Sequence, residues 1–473
     1  MTSSSSTSGD AIPPRFVDVD IEELTAAGDG LASSGDLRIG VPFTIPGERV
    51  RVRLDAGRSG RVFARLVEVL RPSPHRVTAR CIHFGPAAAP ELGPCGGCAW
   101  QHIAYPEQLR LKTALVERLV RAAQPDAPRA LPTLAATPLD APWGHRNNVH
   151  FVFENSGGGR RRETALIMGH YARGSRRVIP VRECPVHDAR GNAFAFRARD
   201  AFAGAGLHAA GAGQGVLRSL AVRVGCHTDE MMATLVVSDD GDRRLRGVTR
   251  RLLDQDPPTS THLNEHPGDD ALIFGPRTRR LMGSERMREQ VAGVSFLMSP
   301  AAFFQTNVRA ADVLVRLVRD ALPSPCRVID LYAGSGLFAI PLALAGHDVI
   351  AVEENRLAVA DGEAALRLNP GARGRCRFVA RRVETSLASL RRPDAVVLDP
   401  PREGCSAPVL QGVFRRLRPA RAVYVSCNPE ALASDVAAIC ADGYGVRSLQ
   451  PVDMFPHTAH IETVALLDRL ESL

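Results

Sequence analysis

The amino-acid sequence predicts a multi-domain chain: a small N-terminal β-barrel, a central α+β region, and a C-terminal α/β domain built on a parallel sheet. Its 473 residues provide material for about two to four domains. Short β-prone runs separated by turn residues fill positions 15–71, which favours a small barrel. From Arg327 to Ala345, a β-branched run, a small-residue turn and an apolar run follow one another, which predicts strand, tight turn and helix.

The turn in this last stretch has the composition of a ligand site. Gly334 and Gly336 leave room for a ligand to approach the backbone, and the helix start that follows offers unpaired N–H groups. About 20 residues further on, an apolar run ends in Glu353, where a nucleotide-binding sheet places a carboxylate on ribose hydroxyls. The two features together predict a nucleotide-type ligand at this edge of the sheet.

Composition and charge narrow the class of protein. The net charge of +8 and the pI near 9.2 come almost wholly from arginine, because Lys112 is the only lysine. Arginine offers a planar fork suited to phosphate, so a polyanionic partner is favoured, although a codon bias toward arginine gives the same composition. The Ser-rich start has no apolar h-region and no apolar run reaches membrane-spanning length, so we expect a cytoplasmic protein without a membrane partner.

One N-terminal strand carries an alternating pattern. In positions 46–53, basic and apolar residues alternate, so a strand would bury Val50 and Val52 and present Arg49, Arg51 and Arg53 on its other face. That face is suited to a phosphate backbone, and an ordinary solvated strand face is the alternative. The arginines at 243–251 allow the same two interpretations, with the solvated helix face slightly favoured.

The cysteines have the spacing of a metal site. Cys95 and Cys98 form a CxxC pair, Cys81 precedes it, and Cys184 stands before a proline far downstream. A CxxC places two thiolates close enough to share one metal, and four soft ligands suit zinc or an iron–sulfur cluster. Spacing leaves these two open. Core cysteines are the alternative, mainly for Cys81 and Cys184.

The C-terminal part carries three further motifs at predicted strand ends. A strand ends at Asp399, and the two prolines that follow form a rigid wall at the carboxyl edge of the sheet. The next strand ends at Cys427, a candidate nucleophile, with a buried core cysteine as the alternative. The last motif runs from Asp453 to Glu462.

These motifs resemble those of the RNA 5-methyluridine methyltransferases, of the 23S rRNA type with a TRAM domain and an iron–sulfur cluster. The matching text, in order, is CGGCAWQH, FFQTN, DLYAGSG, Val352-Glu353, DPPREG, SCNP and DMFPHTAHIE. The resemblance implies a disordered lead-in at 1–13, a TRAM (OB-like) RNA-binding barrel at 14–72, a central domain with the cysteine cluster at 73–299, and a Rossmann-like S-adenosylmethionine-dependent methyltransferase domain at 300–473.

The resemblance also implies roles for individual residues. Cys427 would be the nucleophile that adds to carbon 6 of uracil, and Glu462 the base that removes the proton from carbon 5, with His457 and His460 as alternatives. The residues implied in S-adenosylmethionine binding are Gln305, Tyr332, Gly334, Gly336, Glu353 and Asp399. The residues implied as ligands of a cluster, 4Fe-4S in preference to zinc, are Cys81, Cys95, Cys98 and Cys184. Leu337, Arg382 and the PAAAPEL insertion after Gly85 depart from the family pattern.

Several alternatives stay open at this stage. Ribosomal RNA is favoured over tRNA as the substrate, and no obligate protein partner is evident. A cytosine-5 RNA methyltransferase would need a cysteine where Arg402 stands, and an exocyclic-amine methyltransferase an aromatic residue at the same place. A non-catalytic RNA-binding protein that keeps the fold is the alternative from another class.

Overall fold

A computed structural model describes residues 15–35, 37–56, 62–86, 88, 93–156, 165–211, 215–255, 257–268 and 273–470. The predicted lead-in at 1–13, most of the PAAAPEL insertion and the glycine- and arginine-rich residues 157–164 lie outside this range. The chain forms two compact units. The first contains Met1–Pro94, Cys98–Ala104 and His457–Ala459, and the second Cys95–Gly97, Tyr105–Pro456 and His460–Leu473. No helix in the described part is long and apolar enough to cross a membrane.

The first unit is built on a five-stranded antiparallel sheet of order β3-β2-β1-β4-β5. Its strands are β1 Arg15–Leu24, β2 Gly30–Ser34, β3 Leu37–Val41, β4 Arg49–Ala56 and β5 Val62–Arg71. The edge strands β3 and β5 contact each other, so the sheet curls on itself as a small barrel does. The alternation predicted for β4 is confirmed, because Val50 and Val52 are fully buried.

The outward face of β4 is not open for phosphate in the way the pattern suggests. Arg51 forms a bidentate pair with Asp18 of β1, at 2.8 and 3.0 Å. Arg49 donates to Asp20 of the same strand, and Arg53 donates to Asp55. Strand pairing places Asp18 beside Arg51 and Asp20 beside Arg49, and Asp55 lies two residues from Arg53 along β4, so much of the basic charge of β4 is neutralised within the sheet.

The second unit begins with a helix and a seven-stranded mixed sheet of order β13-β12-β11-β10-β7-β8-β9. Its elements are α1 Tyr105–Ala123, β6 Leu134–Ala135, β7 Asn148–Ser156, β8 Ala165–Tyr171, β9 Val178–Pro180, α2 Ala189–Gly204, β10 Leu217–Val224, β11 Met231–Val237, α3 Arg243–Gln255, β12 Ser260–Glu265 and β13 Arg277–Gly283. The apolar sides of α2 and α3 share a core with β7, β10 and β11. The mixed strands and helices agree with the predicted central α+β region, and the Gly/Ala-rich stretch after Ala201 completes α2 and buries Phe202, Leu207 and Ala209.

An eight-stranded sheet forms the rest of the second unit, in the order β18-β17-β16-β19-β20-β22-β21-β6. Its elements, with the preceding hairpin, are β14 Met287–Val291, β15 Val294–Met298, α4 Val308–Asp320, β16 Arg327–Leu331, α5 Ala339–Leu344, β17 Asp348–Glu353, α6 Arg356–Leu368, β18 Cys376–Ala380, α7 Val383–Ser386, β19 Ala395–Leu398, α8 Ala407–Leu410, β20 Arg421–Ser426, α9 Pro429–Ala441, β21 Tyr444–Asp453 and β22 Glu462–Arg469. Strands β16 to β20 are parallel, and β22 runs antiparallel between β20 and β21. The central strands are buried throughout because helices cover both faces.

Candidate active site

The strand order reverses at β16, which lies between β17 and β19. In open α/β sheets, ligands bind at the carboxyl edge beside such a switch point. Tyr332 follows β16, Asp399 follows β19 and Cys427 follows β20, while Glu353 is the last residue of β17. The fold therefore brings these four predicted site residues to one edge of the sheet.

The turn after β16 needs its glycines for two different reasons. A Cβ at Gly336 would lie 2.8 Å from Cζ of Phe378, and Gly336 has a φ of +87°. Gly334 has a φ of +55°, but a Cβ there would meet nothing within 4 Å. Gly336 is therefore required for packing, and Gly334 borders open space where a ligand has room. Tyr332 also has a positive φ of 62°, a strain of about 1–2 kcal/mol for a residue with a side chain.

Glu353 is held directly over this turn. Its carboxylate accepts a hydrogen bond of 2.9 Å from the N–H of Gly334 and one of 2.7 Å from the N–H of Asn355. Asn355 in turn caps α6 by accepting from the N–H groups of Leu357 and Ala358. The predicted pairing of glycine turn and carboxylate is thus a direct contact, and the turn, the strand end and the helix start form one rigid cradle.

Two aspartates lie beneath this cradle. Burial, with the neighbouring charge of Asp399, raises the pKa of Asp330 well above its ordinary value. Burial raises the pKa of Asp399 to about 7. The N–H of Asp399 donates to the carbonyl of Leu331 at 3.3 Å, which ties the two strand ends together. The site therefore holds acidic groups that a nearby positive charge would ionise.

Cys427 lies in a tight turn between β20 and α9. Ser426 Oγ donates to the carbonyl of Asn428 at 3.0 Å, and Asn428 Nδ2 donates to the carbonyl of Arg402 at 2.9 Å. The Asn428 side chain also caps α9 by accepting from the N–H of Glu430. These bonds fix the half-buried thiol of Cys427 at the same edge as the wall formed by Asp399 and its two prolines.

Glu462 is the close neighbour of Cys427 in the sheet. The antiparallel ladder pairs Ser426 with Thr463, so the next residues outward are Cys427 on β20's side and Glu462 on β22's side. Burial, with the charges of Glu462 and Asp399, raises the pKa of Cys427 to about 11, although Arg402 acts in the opposite direction. Burial and Asp399 also raise the pKa of Glu462 well above its ordinary value. The surroundings therefore disfavour the thiolate of Cys427 in the free protein.

A second set of side chains, missed from the sequence, holds the DPPREG segment against α9. Asp435 Oδ2 accepts a hydrogen bond of 2.8 Å from the N–H of Cys405 and one of 2.5 Å from the hydroxyl of Tyr424. A Cβ at Gly404, where φ is +83°, would lie 2.7 Å from the same oxygen. Cys405 is thus a buried structural residue. Gly404, the glycine that ends the DPPREG motif, leaves room for the carboxylate of Asp435 to approach the backbone.

The remaining predicted cofactor residues and the two departures from the pattern have clear positions. Gln305 is half-buried and precedes Asn307, whose side chain caps α4. Leu337 is buried in the core, so its apolar side chain serves packing. Arg382 is exposed and lies 3.7 Å from Glu354 and 3.8 Å from Glu384.

The four predicted metal ligands, Cys81, Cys95, Cys98 and Cys184, are all half-buried. The N–H of Gly97 donates to Sγ of Cys95 at 3.4 Å. Cys184 also lies with His170 and His187 in a group whose ligand atoms are all within 4.8 Å of one another. The donor set fits a soft metal or a cluster.

Comparison with known proteins gives the class of the chain and then its family. It is 34% identical over 98% of its length, and 98% of the relative, to an uncharacterised RNA methyltransferase of Gloeobacter violaceus. It is also 34% identical to one of Thermosynechococcus vestitus, over 95% of this chain and 97% of that protein. The class is therefore that of an RNA methyltransferase.

The model of the tRNA (uracil-5-)-methyltransferase family matches residues 372–470. The crystal structure of the Pyrococcus abyssi tRNA (uracil-54, C5)-methyltransferase with S-adenosyl-L-homocysteine superposes with a TM-score of 0.75 and 25% identity, covering 95% of this chain and 100% of that one. The chain thus belongs to the RNA (uracil-5-)-methyltransferase family and is an enzyme of that class.

Proposed function

We propose that this protein methylates carbon 5 of a uridine in structured RNA, with Cys427 as nucleophile and Glu462 as base. The observation that carries the proposal is the pairing of β20 with β22, which brings Cys427 next to Glu462, where the charges of Glu462 and Asp399 both raise the pKa of the Cys427 thiol. Such coupling requires proximity, and the glycine turn for S-adenosylmethionine lies at the same edge. S-adenosylmethionine supplies an electrophilic methyl group on a sulfonium.

Cys427 is needed because carbon 5 of uracil is a weak nucleophile. Addition of its thiolate to carbon 6 moves the double-bond electrons onto carbon 5 and the ring carbonyl, and carbon 5 then takes the methyl group. In the free protein the thiol is protonated, since its pKa is about 11. A cation bound beside Glu353 and Asp399 would favour the ionised forms of all the neighbouring acids, including this thiol.

Glu462 completes the reaction. It takes the proton from carbon 5, the electrons of that bond restore the ring double bond, and the bond between carbon 6 and the Cys427 sulfur breaks. The products are 5-methyluridine, S-adenosylhomocysteine and a proton. His460 is a neutral alternative acceptor, because desolvation and Arg402 lower its pKa to about 4, and Arg402 Nη2 lies 3.4 Å from its Nδ1.

RNA is the polymer that this site would meet, and large-subunit ribosomal RNA is the substrate we favour from the motif resemblance. A tRNA is the second candidate, favoured by the full-length superposition on a tRNA enzyme. In either RNA the target base has to leave its stack, at a cost of a few kcal/mol, to reach a thiol at the sheet edge. The barrel at 14–72, proposed as a TRAM domain, would hold the RNA.

We further propose that Cys81, Cys95, Cys98 and Cys184 hold a 4Fe-4S cluster. The support for this ligand set is the CxxC spacing of Cys95 and Cys98, the half-buried position of all four cysteines, and the N–H of Gly97 that donates to Sγ of Cys95. When bound, the cluster would cross-link distant segments of the chain, and no step of the reaction depends on it.

The experiment that tests the proposed function is methyl transfer from radiolabelled S-adenosylmethionine to large-subunit rRNA and to tRNA, followed by nucleoside analysis. We expect 5-methyluridine from one of the two RNAs, and no product with Cys427→Ala. Product at another base or position would contradict the proposal.

A further inference from the structure

One residue outside the reacting groups stands out in both the sequence and the structure. Lys112 is the only lysine in a chain with 59 lysines and arginines. Its side chain is fully buried, as is that of its partner Asp453, and Lys112 Nζ lies 2.5 Å from Asp453 Oδ1. Nζ also donates to the carbonyl of Phe455 at 3.1 Å. A compact ammonium with three N–H donors can donate to both Asp453 and the carbonyl of Phe455. A planar guanidinium would donate to them in a different geometry.

The two acceptors of Lys112 belong to the segment that precedes the proposed base. Asp453 is the last residue of β21, and Val452 beside it pairs with Glu462 across the ladder. Between the two contacts of Lys112, the carbonyl of Met454 accepts a hydrogen bond of 2.9 Å from Asn307 Nδ2. Three consecutive residues, 453 to 455, are therefore held by side chains from α1 and from the start of α4.

This arrangement constrains the position of Glu462 through the strand with which it pairs. Glu462 is fully enclosed and lies at the very start of β22, so its position depends on the strand end that it pairs with. A displacement of β21 at Val452 and Asp453 would be passed to Glu462 through the ladder.

We propose that Lys112 is a positioning residue for the proton-abstraction step, acting on Glu462 through the end of β21. The proposal rests on the function proposed above, in which Glu462 is the base. It assigns a role to a residue of α1, 341 positions away from Asp453 along the chain.

The test separates the base step from the steps before it. Two quantities are measured with RNA tritiated at uracil carbon 5: tritium release, which needs the base, and the methylated protein–RNA adduct stable to detergent, which needs only thiol addition and methyl transfer. The variants are Lys112→Met, Lys112→Met combined with Asp453→Asn, and Glu462→Gln. The matched control is Arg121→Met, which removes an exposed ion pair with Glu117 on the same helix.

For Lys112→Met we expect tritium release to fall by about 100-fold, the usual effect of a misplacement near 1 Å, while the methylated adduct accumulates as in Glu462→Gln. The double variant removes the unpaired buried carboxylate, so it should unfold at a higher temperature than Lys112→Met. It should still accumulate the adduct, because methionine cannot donate to Phe455. Arg121→Met should match the wild type in both quantities.

Three results would overturn the proposal. In Lys112→Met, the amount of adduct and the tritium release could fall together in proportion to the folded fraction, or both could stay at the wild-type level. The double variant could also return both quantities to the wild-type level. Each of these results would mean that Lys112 contributes only to stability or has no role. Absence of both signals in the wild type would instead overturn the proposed function, so the two failures are distinguishable.

Discussion

The ionisation of Cys427 offers the most detailed test of the site's electrostatics. Its thiol has a pKa of about 11, against an ordinary value of 9.0, because burial and the charges of Glu462 and Asp399 disfavour the thiolate. At pH 8 this pKa leaves about one thiol in 1000 ionised, compared with about one in ten at the ordinary value, since each pKa unit is a factor of ten. The surroundings therefore suppress alkylation by about 100-fold.

The perturbation is Glu462→Gln, which removes one negative charge and keeps the shape of the side chain. Burial is the larger cause of the raised pKa and stays in place, so the pKa of Cys427 should fall only part of the way toward 9.0. Alkylation above pH 8 should become faster, by more than about 2-fold and less than the full 100-fold. Arg402→Gln should act in the opposite direction, because Arg402 favours the thiolate.

The assay is the rate of iodoacetamide modification of the Cys427 peptide against pH, followed by mass spectrometry in the absence of cofactor. Cys440 in α9 provides an internal control, because burial raises its pKa independently of Glu462. An unchanged or raised midpoint in Glu462→Gln would refute the reasoning, as would a wild-type midpoint at or below 8.5. Faster modification of Cys440 in the variant would reveal general opening instead.

Three further predictions concern the cofactor and the metal. Gly334→Ala should remain folded but bind S-adenosylmethionine more weakly in calorimetry. Gly336→Ala, with its Cβ 2.8 Å from Phe378, should lose about 1–3 kcal/mol of stability in denaturant unfolding. Equal unfolding midpoints for the two variants would contradict this prediction. Because Asp399 has a pKa of about 7 and a cationic ligand favours its ionised form, affinity for S-adenosylmethionine should rise as pH passes through about 7, and Asp399→Asn should flatten that profile. Anaerobically purified protein should be brown and contain iron and sulfide, and Cys184→Ser should contain less of both. Zinc without iron in the wild type would contradict the cluster.

Local features were accessible from the sequence because they depend on neighbouring residues. The sequence predicted a glycine turn after one strand and a carboxylate at the end of the next, and these two features lie at one edge of the parallel sheet because both follow from local spacing, whereas the hydrogen bond between Gly334 and Glu353 was found only in the structure. The buried side of β4 followed from its alternating pattern for the same reason.

Other features depend on partners that the pattern does not reveal. Arg49 and Arg51 of β4 are paired by acids of β1, and which strand lies beside β4 is decided by the fold. The direction of the pKa shift of Cys427 depends on burial and on charges brought from β19 and β22. Lys112 was visible as the only lysine, but its buried partner Asp453 belongs to another part of the chain.

The measurement that tests the central claim most directly is tritium release from RNA labelled at uracil carbon 5, with S-adenosylmethionine and either wild type or Cys427→Ala. Large-subunit rRNA and tRNA are assayed in parallel. We expect release by the wild type from one RNA, the ribosomal one in our proposal, and none by the variant. Equal release by both proteins, or none by a wild type that binds the cofactor, would contradict uridine carbon-5 chemistry through Cys427.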